Sequence, residues 1–421
     1  KVGFFFLRYL LVYNYKTMNV TLFQKFDDVE PYFWTKEQIE QISFSSDNSQ
    51  DRYFTINDIH YKWKCIRENL FVNFDFQFEE GINLVVISKS YPKHDFKRFL
   101  DILKSTIDTN KKVYILFSKL DENYWGFIDN RDDDKFLKII NDIPNVKVIW
   151  DVPFYKLDNF IFSPKVQIQS FFLNSTHGGF DPYYWGRDVF MKYPKDYRIG
   201  LHMNKIQDNL RLSIVKGLKG YNNKNLFYTI NSNCTYNKKT VYGDLSEFGN
   251  YVSPTYDSRL HGEHDIGINN NWYTIQLLEM GIKSQMEIVY ETFTYNDNII
   301  NDLWQVKWNE KTIKHLYLGK PFIHCDPIAH KLVYQNGMKP YRSLYSDKLW
   351  ELYENWNIVT KKDYSYIDTL IENIKWLSDM TDTEWSERIS EAMKIAEWNK
   401  NKVDELIFNT SLIDIVKSDI Y

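Results

Sequence analysis

Apolar residues recur along this chain in two alternating rhythms. In the first half, short runs are apolar at nearly every position: Asn83–Ser88, Lys112–Ser118 and Val146–Trp150. Runs of that length and density read as strands covered on both faces. Between them, Phe96, Phe99, Leu100, Ile102 and Leu103 fall at helical spacing within 92–106. Phe136, Leu137, Ile139 and Ile140 do the same within 135–143, and Pro144 ends that segment. The order strand–helix–strand–helix–strand predicts a parallel sheet with right-handed crossovers. Residues 17–80 carry a weaker pattern and read only as mixed structure. The apolar run Val2–Leu7, broken at Arg8, reads as a buried strand, because no small-residue cleavage site follows it as one follows a secretory signal core.

The second half repeats the theme. Arg198–His202 predicts a strand, Asp208–Leu218 a helix, Leu226–Ile230 a strand, Trp272–Met280 a helix and Gln285–Glu291 a strand. Asn309 is a natural N-cap for a helix through Ile313, Leu316 and Tyr317, which Gly319 and Pro321 stop. Phe322–Cys325 follows as a strand. Pro327 opens a further helix at its first position and Gly337 closes it. Beyond Ser343 the pattern is helical, with long stretches at 367–377 and 382–408. The fold class is therefore α/β, with two Rossmann-like domains facing a cleft and a helical C-terminal tail. The expected domains are 1–196, 197–345 and a tail, 346–421, that packs back on the first domain. Residues 151–196 hold Pro153, Pro164, Pro182 and Pro194, the pair Gly178-Gly179 and the aromatics Phe180, Tyr183, Tyr184 and Trp185. They read either as an inter-domain passage or as a packed loop.

Length and composition narrow the classes. At roughly 100–200 residues per domain, 421 residues suit two or three domains. No run reaches the ~18 apolar residues of a membrane helix. Lys plus Arg is 52 and Asp plus Glu is 56, so the net charge of -4 does not favour a nucleic-acid binder. Three scattered cysteines, Cys65, Cys234 and Cys325, suit buried thiols in a reducing, cytoplasmic setting better than a disulfide framework or zinc site. Aromatics reach 17 %. Codon bias accounts for part of that excess, and polar-aromatic surfaces for sugar rings are the functional alternative.

The chemistry concentrates near residue 310. Lys311 sits at the second position of a helix, where the macrodipole is already positive, at a cost of about 0.3–1 kcal/mol. With Lys314 close behind, that is a poor structural choice and a good anion site, since a diphosphate would meet free N–H groups, the dipole and Lys311 together. Glu310 would accept from ribose hydroxyls. A solvated Lys311 beside a helix-favouring Glu310 stays open on these residues alone. Asp132-Asp133-Asp134 reads as a solvated helix start, and His261-Gly-Glu-His-Asp265 as a polar loop in preference to a metal site.

The stretch Glu291 … Trp308-Asn-Glu-Lys-Thr-Ile-Lys-His-Leu-Tyr-Leu-Gly-Lys-Pro-Phe-Ile323 resembles the donor-binding segment of glycosyltransferases related to the α-1,3-fucosyltransferases and exostosins, of viral or bacterial type. The family pattern is a strand ending in Glu, Thr/Ser-Glu-Lys, a helix ending in Gly, and a strand beginning Pro-Phe or Pro-Val. Here Asn309 stands for the Thr or Ser. His202-Met-Asn-Lys-Ile-Gln-Asp-Asn-Leu-Arg211 resembles a second block, with Lys205 where the pattern often has Arg. The resemblance spans roughly 198–340. It implies a two-domain GT-B fold, with Asn204, Lys205, Arg211 and Lys311 on the donor pyrophosphate side and Glu310 on the ribose.

The implied reaction moves a sugar from a UDP- or GDP-sugar to a hydroxyl of a glycan or glycoconjugate, with inversion and with no obligatory metal or cofactor. Candidates for the general base are Glu291, at a strand's carboxyl end, and Asp181, with His177, Glu263 and Asp265 also open. Two other readings share the fold: transfer to a modified DNA base, which would need a basic groove, and a non-catalytic carbohydrate-binding protein.

Overall fold

The computed structural model describes residues 18–25, 35, 37–38, 52–56, 59–66, 78–88, 101–105, 111–118, 140–150, 159–166, 168, 195–203, 209–221, 223–230, 235–236, 239–240, 284–291, 308, 310–356 and 364–420. The expectations at Val2–Leu7, 132–134, 177–185, 261–265, 272–280 and Asn309 lie outside these residues.

The chain divides into two compact units. The first comprises 1–150, 157–161 and 411–421, and the second 151–156 and 162–410. Strands β1 (Met18–Lys25), β2 (Arg52–Ile56), β3 (Ile59–Ile66), β4 (Gly81–Ser88), β5 (Lys111–Ser118), β6 (Val146–Trp150) and β7 (Phe160–Phe162) form one sheet in the order β2-β3-β1-β4-β5-β6-β7. From β3 to β6 the neighbours run parallel, and β2 is antiparallel to β3. Consecutive residues Val113, Tyr114, Ile115 and Leu116 are all buried, which a strand achieves only with both faces covered. Asn83 is tolerated in this core because its amide exchanges hydrogen bonds with the Glu79 backbone at 3.0 and 2.9 Å and donates to Lys112 O at 3.3 Å.

In the second unit, β8 (Tyr197–Met203), α1 (Asn209–Leu218), β9 (Leu226–Ile230), a short antiparallel pair β10 (Thr235–Tyr236) and β11 (Lys239–Thr240), β12 (Ser284–Val289), α2 (Glu310–Leu318), β13 (Phe322–His324) and α3 (Pro327–Gln335) follow in turn. Strands β13-β12-β8-β9 form a wholly parallel sheet in that order. From β8 the chain runs outward to β9 and then returns to the other side of β8 at β12. The order therefore reverses between β8 and β12, and in open α/β sheets ligands bind off the carboxyl ends of the strands at such a reversal.

Gly319 ends α2 with φ +67°, the left-handed conformation its position predicts. Asp326 caps α3 by accepting from the N–H groups of Ile328 and Ala329, and Pro327 takes the first turn. Helices α4 (Asp347–Glu354), α5 (Ile367–Asp379) and α6 (Asp382–Asp404) come next. Their apolar faces share one core with the second sheet: Tyr353, Leu370, Ile374 and Ala396 pack in the same cluster as Ile288, Phe322 and Ile313. This differs from the expected tail. Residues 346–410 complete the second unit, and only the last helix, α7 (Leu412–Ile420), belongs with the first. There Asp419 accepts from Lys147 Nζ at 2.6 Å and Tyr114 Oη at 3.0 Å. The expected boundary at 196 likewise differs from the observed division, in which 162–410 belong to the second unit.

Candidate active site

The carboxyl end of β12 delivers Tyr290 and then Glu291. Both are buried, Glu291 to 1 % exposure. A carboxylate so deep is costly unless it is hydrogen-bonded. Thr312, in the first turn of α2, donates its hydroxyl hydrogen to Glu291 Oε1. The Thr312 hydroxyl oxygen itself lies 2.9 Å from His324 Nε2, at the end of β13. One hydroxyl thus ties the start of α2 to the ends of two adjacent strands. Sequence reasoning missed Thr312 and His324. The available signal was a lone histidine in the otherwise apolar run Phe322–Cys325.

The rest of the setting is braced from behind. Trp308 is wholly buried, donates from Nε1 to Ala329 O at 3.1 Å, and stacks on His324 with centroids 6.0 Å apart. Tyr353 donates to His324 O at 3.1 Å, and Tyr366 donates to Asp326 Oδ2 at 3.2 Å. Helices α4 and α5 therefore fix the turn that carries His324. Burial pushes the His324 imidazole well below its usual range, with smaller contributions from His330 and His315. It is a neutral ring.

The predicted cations divide as follows. Arg211, on the first turn of α1, is buried, and its guanidinium lies 4.1 Å from the centroid of the Tyr290 ring. That contact sets the guanidinium against the face of the Tyr290 ring. Lys311 is half-buried on α2, directly before Thr312. Arg211 thus touches the residue before Glu291, and Lys311 precedes in sequence the residue that hydrogen-bonds Glu291. Glu310 is the first residue of α2, and its side chain is outside the described set. Asn204, Lys205 and Asp181 also lie outside the described residues. Among the described residues, no three His, Cys, Asp or Glu side chains come together as metal ligands would, and no helix is long and apolar enough to cross a membrane. Cys325 is buried as a free thiol.

At the opposite end of β12 lies a second polar cluster. Glu287 is buried to 1 % exposure and accepts from Lys320 Nζ at 2.6 Å and from the Ser284 hydroxyl. Lys320 also donates to Ser284 Oγ at 2.8 Å. Burial pulls the Lys320 ammonium down and Glu287 pulls it back. Lys195 is pushed down to about 8 by burial and by the charge of Lys320.

What the second unit defines is a parallel α/β layout with Glu291, Thr312 and His324 gathered at the carboxyl edge of its sheet. No family model matches this sequence, and no curated protein matches it. Among solved structures the chain is similar to an E. coli chain described as "Trehalose-6-phosphate from E. coli bound with UDP-2-fluoro glucose". The two are 9 % identical, the match covers 93 % of this chain and 98 % of that one, and the TM-score is 0.27. A likeness that slight carries no argument, so the functional reading stands on this chain's own residues.

Proposed function

We propose that the protein is a glycosyltransferase whose second unit holds the diphosphate of a UDP- or GDP-sugar off the carboxyl ends of β8 and β12. The single observation that carries this reading is the closure of the α2 N-terminus on Glu291 through Thr312, with Arg211 stacked on the neighbouring Tyr290. A helix N-terminus with free first-turn N–H groups at a reversal of strand order supports an anion site there, and Arg211 and Lys311 are the cations assigned to it.

In the reaction, the acceptor oxygen attacks the anomeric carbon and the bond from that carbon to the diphosphate oxygen breaks. Its electron pair leaves with the nucleotide, while the acceptor proton passes to a carboxylate. Arg211 supplies a planar fork and Lys311 a point charge to the phosphate oxygens, where negative charge grows in the transition state. Glu310 accepts from ribose hydroxyls. Glu291 is the preferred base, and Asp181 the alternative. The first unit is assigned the acceptor, a glycan or glycoconjugate hydroxyl.

Thermal unfolding measured with UDP, GDP, CMP and dTDP tests the site. One nucleotide raises Tm in the wild type, and Lys311→Ala and Arg211→Ala abolish the rise. Equal shifts in the wild type and both variants would remove the assignment.

A further inference from the structure

Three residues outside the predicted donor set fix how Glu291 is presented. Thr312 has one hydroxyl hydrogen, and its oxygen sits between Glu291 Oε1 and His324 Nε2. Two arrangements of protons fit such a chain. In one, His324 carries its hydrogen on Nε2 and donates to Thr312, which donates on to Glu291. In the other, His324 carries it on Nδ1, Thr312 donates to the bare Nε2, and Glu291 must itself supply a hydrogen. His324 is 1 % exposed, and among the described residues its Nδ1 has no hydrogen-bond partner. The hydroxyl of Thr312 has one hydrogen and gives it to Glu291 Oε1, so toward His324 it can only accept. The first arrangement therefore holds: the hydrogen is on Nε2, Nδ1 is left without one, and the chain runs His324 to Thr312 to Glu291. Trp308 stacks on the ring, and Tyr353 holds the backbone that carries it by donating to the His324 carbonyl.

We propose that Thr312 and His324 are positioning residues that fix Glu291 as a hydrogen-bond acceptor for a hydroxyl of the sugar substrates. The proposal rests on the donor-site reading above and assigns that site a directional element. Thr312 orients one carboxylate oxygen, and His324 orients Thr312, so the carboxylate meets its substrate hydroxyl without reorganising. Trp308 is the third member, acting on His324 alone.

Two measurements decide this. The first needs no turnover: long-range ¹H–¹⁵N spectra of ¹⁵N-histidine-labelled full chain, with His324 assigned by its loss in His324→Gln. The expected pattern is a neutral ring bearing hydrogen on Nε2. An Nδ1–H ring overturns the proposal. The second is steady-state hydrolysis of the nucleotide sugar that the thermal screen selects. Thr312→Val should lower kcat by about 10²-fold, the lower range for a general-base contribution, with KM for the donor unchanged. Thr312→Ser should return kcat to within a few-fold. A valine variant at the wild-type rate, or a serine variant no better than valine, overturns it. A wild-type chain that binds and hydrolyses no nucleotide sugar overturns the donor reading instead, while the tautomer still decides the direction of the chain.

Discussion

Two buried glutamates lie four residues apart, one within β12 and one just beyond it, and their surroundings differ. Glu287, in β12, faces an ammonium: Lys320 reaches it at 2.6 Å and Lys195 is close enough to be felt by both. Glu291, past the carboxyl end, is met by the hydroxyl of Thr312 and, behind it, the neutral ring of His324. Equal burial therefore serves different ends. An ion pair locks Glu287 into the core, where removing either partner leaves an uncompensated charge. At Glu291 a hydroxyl meets one oxygen of the carboxylate and orients it. The difference also follows the geometry of parallel sheets, whose carboxyl edge is the ligand-binding edge.

The largest effect is expected at Glu287. Lys320→Ala strands Glu287 and should cost about 3–5 kcal/mol in urea unfolding. The double change Glu287→Leu with Lys320→Met should recover most of that loss, because apolar pairs of similar volume often replace buried ion pairs without penalty. A Lys320→Ala variant as stable as wild type would erase the contrast between the two glutamates.

Next comes acid sensitivity. Burial pushes His315 down to about 3 and His330 down to about 4, against an ordinary imidazole near 6.5. The unfolded chain therefore binds more protons than the folded one between those values and 6.5. Stability is full above about pH 6.5 and is lost as pH falls toward 3. His315 accounts for part of that slope, so His315→Met should flatten the dependence of the urea midpoint between pH 6.5 and 4. Parallel pH profiles for wild type and variant would show that the ring is not held neutral by the fold.

Much of the frame behind this comparison is legible in the sequence, and the reasons are local. Val146–Trp150 and Leu226–Ile230 are strands with the bounds their apolar runs mark, and Gly319, Pro321 and Pro327 punctuate the helices where their backbone preferences require. β3 is harder. Ile59 and Tyr61 are buried while His60 is exposed, the two-residue period of a strand with one wet face, and it offers no dense apolar run to notice. The candidate site is only half legible. Arg211, Glu291 and Lys311 can be picked out because each is a charged residue at a telling place on its own element. The partners cannot: Thr312 meets Glu291 across 21 residues and Lys320 meets Glu287 across 33. Those meetings depend on the register that sets Glu287 against Phe322, which is a property of the assembled sheet.

A smaller effect sharpens the packing side. Gly200 of β8 stands in register with Glu287, and a Cβ there would lie 2.7 Å from both carboxylate oxygens and 2.8 Å from Ser284 Oγ. Gly200→Ala should cost about 1–3 kcal/mol. In a Glu287→Ala background the added methyl meets no carboxylate, so the cost should shrink and the double-mutant cycle should show coupling. Additive losses would mean that the carboxylate moves aside freely, contrary to its lock on Lys320.

The smallest change in stability is expected at Glu291, and there the comparison turns on function. Glu291→Gln keeps an amide oxygen that can accept from Thr312, so it should alter stability by no more than about 1.5 kcal/mol, the scale of one exchanged hydrogen bond. It removes the carboxylate proposed as the base, so donor turnover should fall by about 10²–10⁴. Glu287→Gln should do the reverse, because it leaves Lys320 buried without an anion while the carboxyl edge is untouched. Unfolding midpoints and hydrolysis rates for the two variants, measured side by side, form a crossed test. If both glutamates trade stability and turnover in the same proportion, the strand has no division between a locking end and a working end, and the base assignment passes from Glu291 to Asp181.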